Sequence, residues 1–590
     1  MPFLHRVVLV GWVLVAGFVA SAQDTRFPPV HGTREMVGAA SNLEVEAGFR
    51  MLEQGGNAVD AGVASVLAAS VTEQGRFGLG GEIPILIKMA GKPVISISGI
   101  GVAPGKATVD YYSHRKPESW EDPLRIPPIP EEGIRSAITP GMVDGVLLAL
   151  EKYGTMSFAQ VAAPAIECAD GFPSGEEFAE LLRDFQHIIR LWPDSNKFFY
   201  PAGVPPHPGD LVRMPTLAAT LREMVAAETK AKGDRAQKLQ AVHDLFYKGS
   251  LAHRIADYSE SHGGLIAYQD LAGFKAETDD PRSVNYKGFD VYKPGFWTQG
   301  PVMLEALNLL EGYDLKGMGH NTVDYLHTVI EAVKLAFADR DRYYGDPKFS
   351  KIPEKILLSK GYAEDRRKLI DPLHASMESR PGELGGSAPM RASNGTSYDH
   401  DTTCVNVVDH EGNAFSATPS GAWLPSVIAG DTGIPYSTRL QSFVLTPGHA
   451  NELKPGKRPR VTLSPTIVTQ DGKLFLAFST PGGDNQDQAL LQVLLNIVVF
   501  GMTPQEAVEA PRFQTEQYYS SFGFHEFIAG RVNLEGRIPR AVGEGLKMKG
   551  HQVLLTGDWS NTSSPTLIEV KDGVLHGGAD PRRARFIFGK

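Results

Sequence analysis

Around residue 405 the chain alternates in the two-residue period of a β-strand. Val405 and Val407 lead into the turn-forming cluster Asp409-His410-Glu411-Gly412-Asn413, and Ala414-Phe415-Ser416-Ala417 resumes the alternation. This predicts a hairpin with Thr402-Thr403 at the mouth of its first strand. A second hairpin is expected from 83–89 and 94–100 on either side of Gly91-Lys92. Helical spacing of Glu44, Ala47, Met51 and Leu52 ends at Gly55-Gly56-Asn57, and 58–70 is a helix of almost wholly small apolar residues, suited to close packing in a core. Pro140-Gly141 leads into a helix ending near Tyr153, and 158–370 is dominantly helical, with 221–240 charged enough to be an exposed helix or insertion. Strands return at 460–469 and 474–478, joined at Gln470-Asp471-Gly472-Lys473; Gly482-Gly483 closes the second, and a helix runs from near Gln486 to Phe500. Thr503 and Pro504 have the residue types of an N-cap and first turn. From Asp371 to Asp401 the chain is rich in Pro, Gly, Ser and Asn with little periodicity, a surface segment leading directly to the hairpin. With no repeats and no obvious linker, the order predicts one α+β globule with two sheets between helices.

Composition narrows the class. The chain has 590 residues, 42% of them hydrophobic and 21% charged, as in a soluble protein with a large core, although length alone leaves the domain count open. The net charge of -10 is spread along the chain without a basic run, which argues against nucleic acid or an anionic membrane and for a small-molecule or peptide substrate. His5, Arg6, the apolar run 7–19 and Ala20-Ser21-Ala22 read as a secretory signal occupying 1–22 and cut before Gln23, so a periplasmic or secreted protein is expected. No later stretch approaches the roughly 20 apolar residues of a membrane span. Cys168 and Cys404, the two cysteines, suit buried small hydrophobes better than a bridge or a metal site. His327 and Glu331 lie one helical turn apart, but without a second histidine nearby they read as a solvated or hydrogen-bonded face. No metal or other cofactor is expected. Gly78-Leu79-Gly80-Gly81 lacks the lysine and hydroxyl of a phosphate loop and precedes a strand, so it reads as a backbone turn.

Candidate chemistry centres on Thr402. A threonine hydroxyl is a weak nucleophile unless a base lies beside it, and the residue's own α-amino group can be that base if the chain is cut just before it. Thr-Thr at a strand entrance is common as ordinary structure, so the wider motifs matter. Gly456-Lys457-Arg458-Pro459, Ser464-Pro465-Thr466, Pro481-Gly482-Gly483 and Asp580-Pro581-Arg582 follow the hairpin. Upstream stand Gly55-Gly56-Asn57-Ala58-Val59-Asp60-Ala61, Gly78-Leu79-Gly80-Gly81, Pro140-Gly141, Tyr153-Gly154-Thr155, Pro164-Ala165-Ile166, Asp270-Leu271 and Ala338-Asp339-Arg340. In this order, over nearly the whole mature chain, they resemble the gamma-glutamyltransferase family of N-terminal-nucleophile hydrolases.

The resemblance implies a four-layer αββα sandwich and self-cleavage between Asp401 and Thr402. It implies a large chain 23–401 and a small catalytic chain 402–590 that stay associated as one globular unit. Thr402 would be the nucleophile and its freed amine the base; Gly482 and Gly483 would supply oxyanion donors; Ser420, where the family has a threonine, would support the nucleophile. The implied activity is cleavage of gamma-glutamyl amides through an acyl-enzyme, with water or an amino-acid or peptide acceptor completing the turnover. A glutaryl-type amide acylase is the alternative, and a non-catalytic binding homologue a remote one. Thr403, Arg439, Gln441, Ser442 and Thr462 are the expected substrate-binding residues. The pocket departs from glutathione-cleaving relatives: Ile100 stands where they have an arginine, Arg439 and Ser442 where they have acidic or amide groups, Val461-Thr462 where they have two serines, and Ala422 where they have an asparagine. A cation at Arg439 would repel an ammonium and attract a carboxylate, predicting weak activity on glutathione and a preference for acyl groups with a terminal carboxylate and no α-amino group. The competing expectation is that Arg439 faces solvent or pairs with a nearby acid such as Asp431.

Overall fold

The hairpin of Val405–Val408 and Ala414–Ala417 occupies the middle of a seven-stranded antiparallel sheet. Across this sheet the order is Phe586–Gly589, Met36–Ala39, Val405–Val408, Ala414–Ala417, Ile83–Lys88, Val94–Gly99 and Glu277–Asp279. The computed structural model describes residues 25–118, 120–398 and 401–590; the expected secretory signal lies outside the described residues. A second seven-stranded antiparallel sheet runs Val30–Gly32, Val574–Ala579, Thr566–Lys571, Lys473–Ser479, Thr466–Gln470, Phe289–Lys293 and Arg282–Tyr286.

Alternation along the strands builds the layers. In the first sheet Val405, Val407, Phe415, Ala417, Ile83, Ile85 and Ile87 face one helical layer, which includes Ala58–Thr72 and Phe158–Asp170. Their neighbours Met36, Leu86, Val408 and Ala414 turn the other way and meet Ile467, Ala477, Ile568 and Leu575 of the second sheet. The outer face of that sheet, through Val468, Leu476, Phe478 and Leu567, packs on the helices Pro301–Leu310, Val323–Tyr343 and Gln486–Val498. The expected four layers, αββα, are therefore present. Because both faces of the central strands are covered, Val405–Val408 and Ala414–Ala417 are buried at every position.

The Ala58–Thr72 helix lies close on the hairpin for a steric reason. A Cβ added at Gly62 would stand 2.3 Å from Phe415 Cδ1, so the missing side chain lets the aromatic ring seat against the helix. Asn57 and Asp60 cap the helix reciprocally, and the Asp60 carboxylate also accepts the Thr155 and Met156 amides, at 2.9 Å each. Thr503 caps the Pro504–Glu509 helix in the same way, as its residue types predict.

Several expectations need correction. The stretch 221–240 is not an exposed insertion: the helices Pro215–Lys230 and Arg235–Tyr247 bury Leu221, Met224 and Leu239 in the helical layer. The expected strand 460–469 shrinks to Thr466–Gln470. Inside the supposedly helical region, Glu277–Asp279, Arg282–Tyr286 and Phe289–Lys293 supply edge and near-edge strands to both sheets. For His327 the hydrogen-bonded reading holds and the solvated one is corrected: it is buried between His551 Nε2 at 2.9 Å and the Asp371 carbonyl at 2.7 Å, while Glu331 pairs with Lys334 and Arg380. Among the described residues, no group of three or more His, Cys, Asp or Glu could hold a metal ion, and no helix is long and apolar enough to cross a membrane.

Gly62→Ala should overpack the helix–hairpin contact and lower the unfolding free energy by about 1–3 kcal/mol. Gly361→Ala should act oppositely, raising it by about 0.4–1 kcal/mol, because it sits in the Lys360–Arg367 helix with nothing within 4 Å of its added Cβ. Denaturant midpoints of the two variants, at unchanged slope, check the opposed signs.

Candidate active site

Thr402 is 1% exposed and sits where the chain enters the first hairpin strand. An antiparallel bridge pairs it with Ser420, and the amide of Thr403 donates to the Pro419 carbonyl at 3.0 Å. This backbone register places the Thr402 Oγ1 and Ser420 Oγ atoms 3.0 Å apart. Ser420 in turn exchanges two backbone hydrogen bonds with Glu82, each 3.0 Å. The Gly78-Leu79-Gly80-Gly81 turn makes that approach possible: a Cβ at Gly80 would fall 1.8 Å from the Pro435 carbonyl oxygen, and one at Gly81 2.3 Å from the Ser420 carbonyl oxygen.

Behind Ser420 lies a buried cation. Arg439 is 0% exposed; its Nη2 donates to Ser420 Oγ at 3.2 Å, its Nε pairs with Glu82 Oε1 at 2.5 Å, and its guanidinium carbon lies 4.0 Å from the Trp423 ring centroid. Burial pushes its pKa down while Glu82 pulls it back up. Ser437 Oγ donates to the second Glu82 oxygen at 2.9 Å. Gly421, at φ +103°, clears the carboxylate, since a Cβ there would meet Glu82 Oε2 at 2.2 Å. Of the competing expectations for Arg439, pairing with a nearby acid holds, but the acid is Glu82 and not Asp431, which takes Arg254 at 2.9 Å; the expectation that it faces solvent is corrected. Its charge is balanced by Glu82, so the free cation invoked for the acyl pocket does not exist at this position.

The bond between Asp401 and Thr402 is held from two sides. The Asp401 carbonyl oxygen accepts from Trp423 Nε1 at 2.5 Å and from Ser420 Oγ at 3.1 Å. The Asp401 carboxylate pairs with Arg583 and with Arg76 Nε, the latter at 2.5 Å. Burial works against its ionisation, but Arg583, Arg76 and Arg585 outweigh burial and hold its pKa at about 2.

Asp401, Gly482, Gly483, Phe522, Tyr398 and Arg583 are among the walls of a cavity of about 500 Å³. Gly482 and Gly483 have φ of +116° and +54°, and a Cβ on Gly482 would strike Ser563 Oγ at 2.4 Å, so the turn at 482 requires glycine. A polar seam between the sheets ties this turn to the hairpin. Asn406 Oδ1 accepts from Ser416 Oγ at 2.7 Å and Ser479 Oγ at 3.2 Å, and Asn406 Nδ2 donates to the Thr566 carbonyl at 3.0 Å.

The remaining expected residues divide. Gln441 bridges two loops, donating to the Glu131 carbonyl at 3.1 Å and accepting the Gly523 amide at 3.2 Å. The hydroxyls of Thr403, Ser442 and Thr462 are buried without a hydrogen-bond partner among the described residues. Glu82 and Trp423 were missed. Glu82 had one usable signal, a lone acid between a glycine turn and an apolar strand; Trp423 had none.

A sandwich of two antiparallel sheets between helical layers is the fold of the N-terminal-nucleophile hydrolase class. The chain belongs to the gamma-glutamyltranspeptidase family, whose sequence model matches residues 45–589. A glutathione hydrolase proenzyme from Escherichia coli is 32% identical over 98% of this chain and 98% of its own. An acylase ACY 1 proenzyme from a Pseudomonas strain is 33% identical over 89% of this chain and 88% of its own. The solved cephalosporin acylase from Bacillus halodurans superposes with a TM-score of 0.81 at 28% identity, covering 96% of this chain and 98% of that one.

Removing one partner of the Arg439–Glu82 pair leaves a buried charge uncompensated. Arg439→Met or Glu82→Gln alone is expected to lower the unfolding free energy by about 3–5 kcal/mol, and the two combined by less than either single change. Equilibrium denaturation of the three variants measures the order.

Proposed function

We propose that this chain is a self-processing gamma-glutamyl hydrolase and transferase that works through an acyl-enzyme on Thr402. The observation that carries the reading is the contact set at one bond: the Thr402 hydroxyl 3.0 Å from Ser420 Oγ, and the preceding Asp401 carbonyl oxygen held by two donors. Thr402 Oγ1 attacks the Asp401 carbonyl, the amide becomes an ester, and water opens the ester. Fragments 23–401 and 402–590 result, joined by a shared core, since each contributes strands to both sheets. The freed amine of Thr402, with a reference pKa of about 7.7–8, then accepts the hydroxyl proton when Thr402 attacks a substrate amide. Amides of Gly482 and Gly483, on the cavity wall shared with Asp401, serve the substrate's oxyanion. Water or an amino-acid or peptide acceptor releases the acyl group. The relatives named as glutathione hydrolase and acylase proenzymes support both the activity and the processing. The apolar run 7–19 supports export.

A second reading, a dicarboxylic-acyl amide acylase, is favoured by a different observation. Asp401 already places a carboxylate on Arg583 and Arg76 beside Thr402, so a carboxylate-bearing acyl group finds counterions there once Asp401 has moved away. The carboxylates in the cavity wall are otherwise engaged: Asp484 by Arg340, Glu516 by Asn533, Glu526 by Ser397 and Glu535 by Arg582. That leaves an α-ammonium poorly provided for. Comparing kcat/KM on matched gamma-glutamyl and glutaryl anilides separates the two readings, with the better substrate naming the class.

Thr402→Ala should give a folded single chain without activity, and the natural protein two fragments, the shorter beginning Thr-Thr-Cys-Val. If the alanine variant still splits at this bond, another protease does the cutting and self-processing fails. The pH profiles of the two reactions should also differ. Turnover should fall about tenfold per pH unit below the amine's pKa, near about 7.7–8, because the base is then protonated. Conversion of the uncut chain should lack that acid limb, since its Thr402 has no free amine.

A further inference from the structure

The uncut chain poses a chemical problem that the mature enzyme does not have. Before the bond is broken there is no free α-amine to take the Thr402 proton, yet the Asp401 carbonyl must accept a pair of electrons. We infer that Trp423 is a catalytic residue of the self-cleavage step: its indole N–H, with the Ser420 hydroxyl, forms an oxyanion hole for the Asp401 carbonyl. This hole is separate from the Gly482-Gly483 turn assigned to substrate turnover. The inference rests on the self-processing reading and deepens it.

The geometry is that of donors aimed at the atom where charge develops. Trp423 Nε1 lies 2.5 Å and Ser420 Oγ 3.1 Å from the Asp401 carbonyl oxygen, and the indole nitrogen also lies 3.2 Å from Ser420 Oγ. Trp423 is 2% exposed, so both donors act in a site screened from water, where such bonds are strongest. The indole is held in place by the Arg439 guanidinium 4.0 Å from its centroid on one contact and by the Phe522 ring, edge-on at 5.6 Å, on another. A cation against the indole polarises the ring and strengthens its N–H as a donor, and Arg439 Nη2 on Ser420 Oγ does the same for the hydroxyl. Arg439 reaches neither the Asp401 carbonyl nor Thr402 and transfers no proton; fixed by Glu82, it holds Ser420 Oγ and the indole in place.

The hydrogen bonds also supply a path for the proton. Thr402 Oγ1–H donates to Ser420 Oγ, and Ser420 Oγ–H donates to the Asp401 carbonyl oxygen. As the bond from Thr402 Oγ1 to the Asp401 carbonyl carbon forms, the threonine proton passes to Ser420 and the serine proton to the carbonyl oxygen. The product is a neutral hydroxyl-bearing five-membered ring, with no base consumed. Its collapse breaks the carbon–nitrogen bond: the ring hydroxyl loses its proton, the carbonyl reforms, and the nitrogen gains that proton through Ser420. An ester on Thr402 Oγ1 and a free amine remain, and water then divides the ester into the Asp401 carboxylic acid and the Thr402 hydroxyl. Throughout, Trp423 donates to the same oxygen and transfers nothing.

The test follows conversion of freshly made full-length chain to its two fragments on denaturing gels. Trp423→Phe keeps an aromatic ring for Arg439 and removes the N–H, and is expected to slow conversion by about 10²-fold, the loss typical of one oxyanion donor. Because phenylalanine also changes shape, benzothienylalanine, an isostere in which sulfur replaces the indole N–H, is placed at position 423 as a second variant, and 5-fluorotryptophan, which keeps the N–H, as a third. The sulfur isostere should convert as slowly as the phenylalanine variant and the fluorinated residue within a few-fold of the natural rate. Conversion of the benzothienylalanine protein at the natural rate would overturn the assignment of Trp423. Cleavage of the Thr402→Ala chain at the same bond would instead overturn the self-processing reading, so the two failures are distinct.

Discussion

A fully buried ion pair organises the site. Arg439 and Glu82 are both 0% exposed and are brought together from positions 357 residues apart. Charges removed from water are tolerated only when their remaining valences are met, and here each neighbour that meets them is a functional or supporting group. Glu82 takes Ser437 on its second oxygen and fixes Ser420 through the backbone; Arg439 takes Ser420 on Nη2 and Trp423 on its face. Thr402 and the Asp401 carbonyl are then positioned by Ser420 and Trp423. The pair therefore sets where the hydroxyl stands, although Arg439 Nη1 itself has no hydrogen-bond partner among the described residues.

The layered fold supplies the second constraint. Where the two sheets meet through Met36, Leu86, Val408 and Ala477 the middle layer is apolar, but toward Thr402 it becomes the hydrogen-bonded set Asn406, Ser416, Ser479 and Thr566. Apolar contacts tolerate small slips between sheets; directional bonds do not. Ser479 ends the strand that continues to Gly482, and Asn406 lies four residues after Thr402. The seam thus keys the glycine turn to the hairpin, holding parts carried by different sheets in a fixed relation. This is the reason to expect the nucleophile and its donors to remain registered after a cut at 401.

How much of this was readable in advance follows the range of each interaction. The hairpin at 405–417, the hairpin around Gly91, the Thr503 cap and the close-packed helix beginning at Ala58 are local patterns, and all four were legible. The short strands 277–293 were not, because three- and five-residue strands between helices carry too little periodicity to register. Motifs in family order pointed to Thr402, Ser420 and Gly482-Gly483 without any geometry. Pairing at a distance was the blind spot: nothing near Arg439 in the chain announces Glu82, and electrostatics argued from Arg439 alone left open a free cation or a pair with an acid such as Asp431, where the fold pairs it with Glu82. Trp423 was invisible for a related reason, since its importance lies in one nitrogen atom turned toward Asp401.

The charge that self-processing would leave unbalanced belongs instead to the far side of Asp401. In the uncut chain its carboxylate, with Glu73 and Glu177, faces Arg76, Arg583 and Arg585. Glu73 is the weakest of these anions, because burial raises its pKa and its arginine neighbours only partly offset that. On the self-processing reading, departure of Asp401 removes the group on which Arg583 and Arg76 converge and leaves a positive excess at the edge of a cavity of about 500 Å³. While Asp401 stays, it closes the cavity toward Thr402 and satisfies that charge; once it leaves, the same arginines attract the carboxylate of an incoming acyl group. One aspartate would then act first as the acyl half of the bond to be cut and afterwards, by its absence, as the source of the pocket's selectivity.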